Sequence, residues 1–274
     1  MPDNAKSPGA PRHLPREVDA SVPNVARMYD YYLGGKDNFE ADRVAAEQVL
    51  AVLPAQRRSA IENRRFLRRV VRYLAGEAGI DQFLDIGVGL PTQGAVHEVA
   101  HEINPDARVV YADFDPVVVS HANALLYQRD LSVVVEGDLR KPAGLLASPV
   151  VREHLDFRRP VAVLLLAVLH FVSDDDDPAA IVARLRDAVP PGSHLVISHV
   201  GLDLVDKAVA ARAMEIYRRA NEPIWPRSHE EIQGFFGDWE LLEPGLVPKH
   251  LWRPVTGEAP ASTDNTSWGA VARK

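Results

Sequence analysis

A doubly wound α/β domain is the fold that this 274-residue sequence predicts. Three observations carry the prediction. From Gln82 onward, short apolar runs alternate with helix-length segments, the pattern of parallel strands joined by crossover helices. One run, Val161–Ala167, is continuously apolar, as a central strand covered on both faces requires. The first three runs each end in an acid or a glycine, where such sheets place their ligands.

Composition agrees. With 46% apolar residues the chain can bury a large core without disulfides. The absence of cysteine excludes a thiol nucleophile, a disulfide framework and the Cys-containing zinc sites. A net charge of −7 argues against general attraction to nucleic acid. The stretch Val161–Leu169 is about half the length of a membrane-spanning helix. The first residues show no apolar leader, so the expectation is a soluble cytoplasmic protein with no membrane partner.

The elements follow in order. Residues 1–22 are rich in proline and poor in apolar periodicity, which predicts a disordered tail. Residues 23–76 predict a helical cap and 77–274 the α/β core, the two forming one compact unit. Asn24 can cap a helix carrying Val25, Met28, Tyr29 and Tyr32 that Gly34-Gly35 would end. Helices follow over Glu40–Leu53 and Ala55–Ala75, stopped by Pro54 and Gly76. Strands are predicted at Gln82–Ile86, Arg108–Ala112, Ser132–Glu136, Val161–Ala167 and Ser193–His199. Helices between or after them are predicted near Thr92–Ile103, Val117–Leu126, Ala179–Val189 and Leu204–Ala220. Ser228 with Glu231 is a capping box for one more helix. Gly245–Trp252 and Ser267–Arg273 then predict an antiparallel pair at the sheet edge.

The loop Asp85-Ile86-Gly87-Val88-Gly89 carries the first chemical signal. Two glycines allow a tight turn and close approach of backbone to ligand. A dinucleotide fingerprint would place a third glycine at position 92, where Thr92 stands. Asp85 would also repel a diphosphate and suits a cationic ligand instead. S-adenosylmethionine, with a sulfonium, an ammonium and no phosphate, matches that charge. Asp113 lies 24 residues beyond Gly89, where an acid can accept both ribose hydroxyls. Asp115 is better placed to cap the helix beginning at Pro116. Asp138 can accept from an adenine amino group, with Leu139 supplying backbone and an apolar face.

These residues resemble the class I S-adenosylmethionine-dependent methyltransferases. The segments Pro23–Phe39, Glu62-Asn63-Arg64-Arg65-Phe66, Leu166–Phe171 and Pro190-Pro191-Gly192-Ser193 are similar to an actinobacterial methyltransferase family first catalogued as a domain of unknown function. The resemblance runs from about Pro23 to the C-terminus. It implies a Rossmann-like sheet of seven strands, mostly parallel, with the last reversed. It also implies S-adenosylmethionine as cofactor and S-adenosylhomocysteine as product. Phe114 beside Asp113, and Ala167 at the end of the fourth strand, complete the expected cofactor set with Asp85, Gly87, Gly89, Asp138 and Leu139. One departure is Pro91, where the broader motif commonly has glycine; it alters the turn near the methionine end.

Closure of the crevice by the N-terminal helices would exclude water from the sulfonium. Tyr29 is then expected at the methionine end, with Asn63 and Arg64 facing the same space. Val25, Met28, Tyr29 and Tyr32 would form the cap's apolar face, and Arg27, Asp30 and Lys36 its polar reach. His170 is the candidate general base for an acceptor that must lose a proton, ahead of His199. The fourth strand lacks the Asn/Asp-Pro-Pro-Tyr/Phe sequence of amino-methylating DNA and glutamine enzymes. Asp174–Asp177 lacks the alternation of a calcium loop, and Asp177-Pro178 fits a helix start, so no metal site is expected. The arginines at 64, 65, 68, 69 and 72 are not accompanied by a stacking-aromatic platform and predict a solvated, salt-bridged face rather than an RNA surface. The sequence thus points to methyl transfer onto a small-molecule acceptor. A nicotinamide-dependent oxidoreductase and a non-catalytic S-adenosylmethionine-binding protein are the alternatives.

Overall fold

The computed structural model describes residues 19–90, 94–125, 130–255 and 266–274. Three helices open the chain: α1 (Val25–Tyr32), α2 (Glu40–Val52) and α3 (Ala55–Gly76). The Asn24 side chain accepts from the amides of Ala26 and Arg27, satisfying two of the free donors at the start of α1. There follow β1 (Gln82–Ile86), α4 (Val96–His101), β2 (Arg108–Asp113), α5 (Pro116–Leu125), β3 (Ser132–Glu136), α6 (Pro142–Ala147), α7 (Pro149–His154) and β4 (Ala162–Leu166). The chain continues with α8 (Pro178–Ala188), β5 (His194–Val200), α9 (Lys207–Tyr217), α10 (His229–Gly234), β6 (Glu240–Leu241), β7 (Val247–Pro248) and β8 (Ser267–Arg273).

The strands form one sheet in the order β3-β2-β1-β4-β5-β8-β6, with β7 also paired to β8. β1 to β5 are parallel and β8 is antiparallel to β5. β6 and β7 pair with opposite ends of β8, so they share one edge position and the sheet has seven strand positions. The expected antiparallel pair at the edge is β7 with β8, but only Val247–Pro248 of the predicted Gly245–Trp252 is strand, Lys249–Leu251 being a 3-10 turn, and β8 itself inserts between β5 and the short edge segments. The order reverses between β1 and β4, which opens a crevice at their carboxyl ends.

Alternation along the strands builds two apolar layers. Leu84, Ile86, Val163, Leu165 and Ile197 pack under α6, α7, α8 and α10, while Phe83, Leu164 and Val196 pack under α3 and α4. A third cluster joins Met28 and Tyr32 of α1, Val49 of α2, Ala60 of α3 and Tyr217 of α9. Other differences from the sequence expectation are local. The predicted helix over 204–220 is shorter, because Asp206 caps α9 by accepting from Ala208 and Val209. Of the predicted helix over 92–103, the start falls partly outside the described residues and the observed element is α4. Arg69, expected on a solvated face, is buried and paired with Glu62 at 2.8 Å. Asp177 caps α8 through the Ala180 amide as expected. Among the described residues no acid or histidine cluster could hold a metal, and no helix is long and apolar enough to cross a membrane.

Candidate active site

The period-2 alternation of β1 decides where Asp85 points. Phe83 faces α3, so Asp85 faces it too, beside Tyr111 of β2 in register. Burial pushes its carboxyl pKa up to about 7, the Arg64 guanidinium opposes that rise, and the Asp113 charge adds to it. Arg64 also donates to the Gly94 carbonyl at 2.9 Å, tying α3 to the far side of the loop. Within the loop, Gly87 has φ of 75° and Gly89 φ of 62°, conformations that favour glycine. A Cβ on Gly87 would lie 2.1 Å from Val168, so the turn after β4 presses directly on this loop. Pro91 and Thr92 lie outside the described residues, and their expected effects with them.

Asp113 ends β2 and is also buried, its pKa pushed up to about 6 by desolvation. Its carboxylate accepts from the amides of Gly89 at 3.0 Å and Asp115 at 2.9 Å, which fixes it beside the glycine loop. Asp115 caps α5 by accepting from the Val117 amide, as expected, and also accepts from the Asn24 side chain at 3.0 Å. The start of α1 is thus anchored to the end of β2. Phe114 is exposed, with the Arg140 guanidinium 5.3 Å from its ring centre. Arg140 also pairs with Asp138 at 2.9 Å, so the two candidate adenine-binding residues meet through one cation. The Leu139 side chain is buried in the core.

Tyr29, Asn63 and Ala167 come together. The Asn63 amide donates to the Tyr29 hydroxyl at 3.1 Å, and Tyr29 donates to the Ala60 carbonyl at 3.2 Å. Ser198 donates to Asn63 Oδ1 at 2.6 Å, and its Oγ accepts from the Ala167 amide at 2.9 Å. Ala167 has φ of 55°, a strained conformation for a residue with a Cβ, at the carboxyl end of β4. A Cβ on Gly89 would lie 3.9 Å from Ala26 Cβ, so this side of the glycine loop looks toward α1. Arg27 and Asp30, expected to reach toward the ligand, instead turn inward. Arg27 pairs with buried Asp42 at 2.7 Å, and Asp30 accepts from the Asp37 amide and the Asn38 side chain. Gly35 approaches the Asp30 carboxylate too closely for any Cβ, which explains that glycine as a packing requirement among the N-terminal helices.

His170 sits on a 3-10 turn, Leu169–Phe171, just after β4. It is buried, its Nδ1 has no hydrogen-bond partner among the described residues, and desolvation holds its pKa well below the usual histidine value. It is therefore neutral at pH 7, the form a base needs. His199 differs. Its Nδ1 lies 2.8 Å from the Val200 carbonyl, so that nitrogen carries the proton, and Nε2 accepts from Arg227 at 3.1 Å. Both ring nitrogens are engaged and burial pushes the pKa down to about 3, so His199 is a packing residue. Arg227 was not foreseen. It donates to the carbonyls of Leu169 and Val172 and pairs with Asp174, clamping the turn that carries His170. A lone arginine in an irregular segment offers no sequence signal for this.

These residues fit S-adenosylmethionine on their own chemistry. Two buried acids with raised pKa values face one glycine loop, a surrounding that a cationic ligand relieves and a diphosphate would aggravate. An exposed aromatic ring stands at the end of β2, and Gly87 and Gly89 leave the backbone bare between them. Comparisons agree with this assignment. The profile of the S-adenosyl methyltransferase family matches residues 11–274. A candidate methyltransferase from Thermobifida fusca YX is 45% identical, with TM-score 0.87, over 93% of this chain and 96% of that one. A DUF574 family protein from Streptomyces avermitilis is 40% identical, with TM-score 0.88, over 93% and 99%. The N-methyltransferase NodS from Bradyrhizobium japonicum, solved with S-adenosylhomocysteine, is 13% identical with TM-score 0.50 over 90% and 98%, a likeness of fold alone. A comparison with curated proteins returned no match. The chain belongs to the S-adenosyl methyltransferase family and is an S-adenosylmethionine-dependent methyltransferase, with S-adenosylhomocysteine as its product.

Proposed function

We propose that this enzyme methylates a small-molecule acceptor bound beside the carboxyl ends of β4 and β5. The observation that carries the cofactor arrangement is the pair Asp85 and Asp113, buried acids flanking one glycine loop. Asp113 accepts the ribose hydroxyls through the lone pairs that its two backbone donors leave free. Phe114 stacks on the adenine and Asp138 accepts from its amino group, with the Leu139 backbone alongside. Asp85, Gly87 and Gly89 hold the methionine end, which Tyr29, Asn63, Arg64 and Ala167 close. When bound, S-adenosylmethionine supplies a methyl group on a sulfonium, open to in-line displacement.

The protein's task is orientation and exclusion of water. Residues 23–76 act as a cap on the core of residues 77–274; of the tail expected over 1–22, residues 1–18 lie outside the described residues. Asn24 pins α1 to Asp115, and Asn63 pins α3 to Ser198, so the cap closes on both sides of the crevice. His170, neutral and fixed by the Arg227 clamp, takes the proton of an acceptor hydroxyl as the new bond forms. Calorimetric titration of the full chain tests the assignment. S-adenosylhomocysteine should bind and raise the melting temperature, and NAD should do neither. Preferential binding of NAD would overturn it, and binding without any methyl transfer would reduce the protein to a cofactor binder.

A further inference from the structure

Lys249 follows β7 and is only 2% exposed. Its Nζ donates to the carbonyl and hydroxyl of Ser59 at 3.1 and 3.3 Å. An ammonium carries three donors, and among the described residues the third has no partner. Its stem crosses Gly269, where a Cβ would lie 3.0 Å from Lys249 Cγ. Gly269 is the register partner of Ser198, so Lys249 adjoins the same polar layer that links Asn63 to Ala167. Ser59 is one helical turn before Asn63 on α3 and accepts from Thr266 at 2.7 Å, which closes the layer on the β8 side.

Among the described residues, the charges in this layer do not balance. Glu62 is the nearby buried acid, and it is held by Arg69 at 2.8 Å. Arg69 also donates to the Lys249 carbonyl at 2.7 Å, bringing a second cation against the same segment. Among the described residues no carboxylate lies within ion-pairing distance of Lys249. A buried cation without a counterion is costly, and groups left so are enriched at functional sites. Burial pushes the amine down to about 7, Glu62 pulls it up, and Arg69 pushes it down. The other titratable groups coupled to it are His170, on the turn after β4, and neighbouring His250.

We propose that Lys249 marks the acceptor end of the crevice and that the acceptor is an organic acid whose carboxylate supplies the missing counterion. The proposal rests on the methyltransferase reading and adds the substrate class. The lysine sits on the β5 and β8 side, beyond Ala167 and away from the acids of β1 and β2, so it does not compete for the cofactor's positive charges.

Benzoate and benzamide, nearly identical in shape and different in charge, test this on the full chain saturated with S-adenosylhomocysteine. Benzoate should bind at least about tenfold more tightly, as a charge-assisted pair predicts. At pH 8 its binding should take up a proton onto Lys249, seen as a heat that varies with the ionisation enthalpy of the buffer. Lys249→Met should abolish both the preference and the proton uptake while S-adenosylhomocysteine affinity stays within about twofold. Equal binding of the two probes, binding of neither, or benzoate binding without proton uptake would overturn the proposal, and these wild-type readings stand even if the variant fails to fold. Failure of S-adenosylhomocysteine itself to bind would instead sink the cofactor assignment.

Discussion

Ser198 Oγ donates to Asn63 Oδ1 at 2.6 Å, and that bond ties the cap's longest helix to the carboxyl end of a central strand. The same hydroxyl accepts from Ala167, and the same asparagine donates to Tyr29. One side chain from α3 therefore couples α1, β4 and β5 in a buried setting, where each unpaired polar group is expensive.

Replacing Asn63 by leucine leaves the Ser198 and Tyr29 hydroxyls without their partner. The expected cost is roughly 1–3 kcal/mol of stability. Urea unfolding should show a lower midpoint, and S-adenosylhomocysteine should bind more weakly because Tyr29 loses its anchor. A midpoint equal to that of the wild type would show that the network contributes nothing.

Asp113 and Asp115 should separate binding from docking. Asp113→Ala removes charge-assisted bonds to the ribose and should cost about 1.5–3 kcal/mol in S-adenosylhomocysteine affinity, tenfold or more. Asp115→Ala removes the cap of α5 and the contact to Asn24, so it should lower thermal stability with a smaller effect on affinity. Equal affinity of Asp113→Ala and wild type by calorimetry would exclude Asp113 from the site.

The buried acids give a pH dependence of definite sign. The folded pKa values of Asp85 and Asp113, about 7 and about 6, lie above the ordinary 3.8. Their contribution to stability is therefore present below 3.8 and is lost as pH rises through 6 to 7. His170 and His199 work in the opposite sense: their contribution is present above 6.5 and is lost as pH falls. Melting temperatures of Asp85→Asn relative to wild type should rise from pH 5 to pH 8. S-adenosylhomocysteine affinity of the wild type should increase over the same range as the acids ionise to meet its ammonium. Parallel melting curves across that range would contradict the assignment of Asp85 as a buried acid with a raised pKa.

Arg227 is the support of the His170 turn. Arg227→Met strips donors from the Leu169 and Val172 carbonyls; Leu169 keeps its bond from the Val172 amide, so the cost is roughly 1–3 kcal/mol for the Val172 carbonyl left unpaired. Amide exchange should accelerate over residues 169–174 ahead of the strands. Unaltered exchange there would mean the clamp is dispensable.

Much of this was legible in the sequence because the strands announce themselves. Gln82–Ile86 and Ser132–Glu136 are read to the residue from their apolar runs, and Asn24, Asp115, Asp177 and Ser228 cap helices where their side chains suggest. The acids at strand ends were legible for the same reason, since alternation assigns each a face. What escaped was what depends on distant partners. β6 is two residues long and acquires its pairing only from β8. Arg227 lies in an irregular segment and Lys249 on a short 3-10 turn inside a stretch that reads as strand, and nothing local shows that one clamps a turn and the other is buried. Arg69 belongs to a regular stripe of arginines, yet the carbonyls of Lys249 and Trp252 draw it inward.

Native-state hydrogen exchange with and without S-adenosylhomocysteine tests most directly whether cap and strand ends form one site. The ligand should slow exchange at Gly87–Gly89 and at Asp113-Phe114, and also at residues 24–38 of the cap. Truncation of residues 1–22 should leave that protection intact. Protection confined to the strand ends, with residues 24–38 exchanging as fast as in the free protein, would contradict closure of the cap over the cofactor.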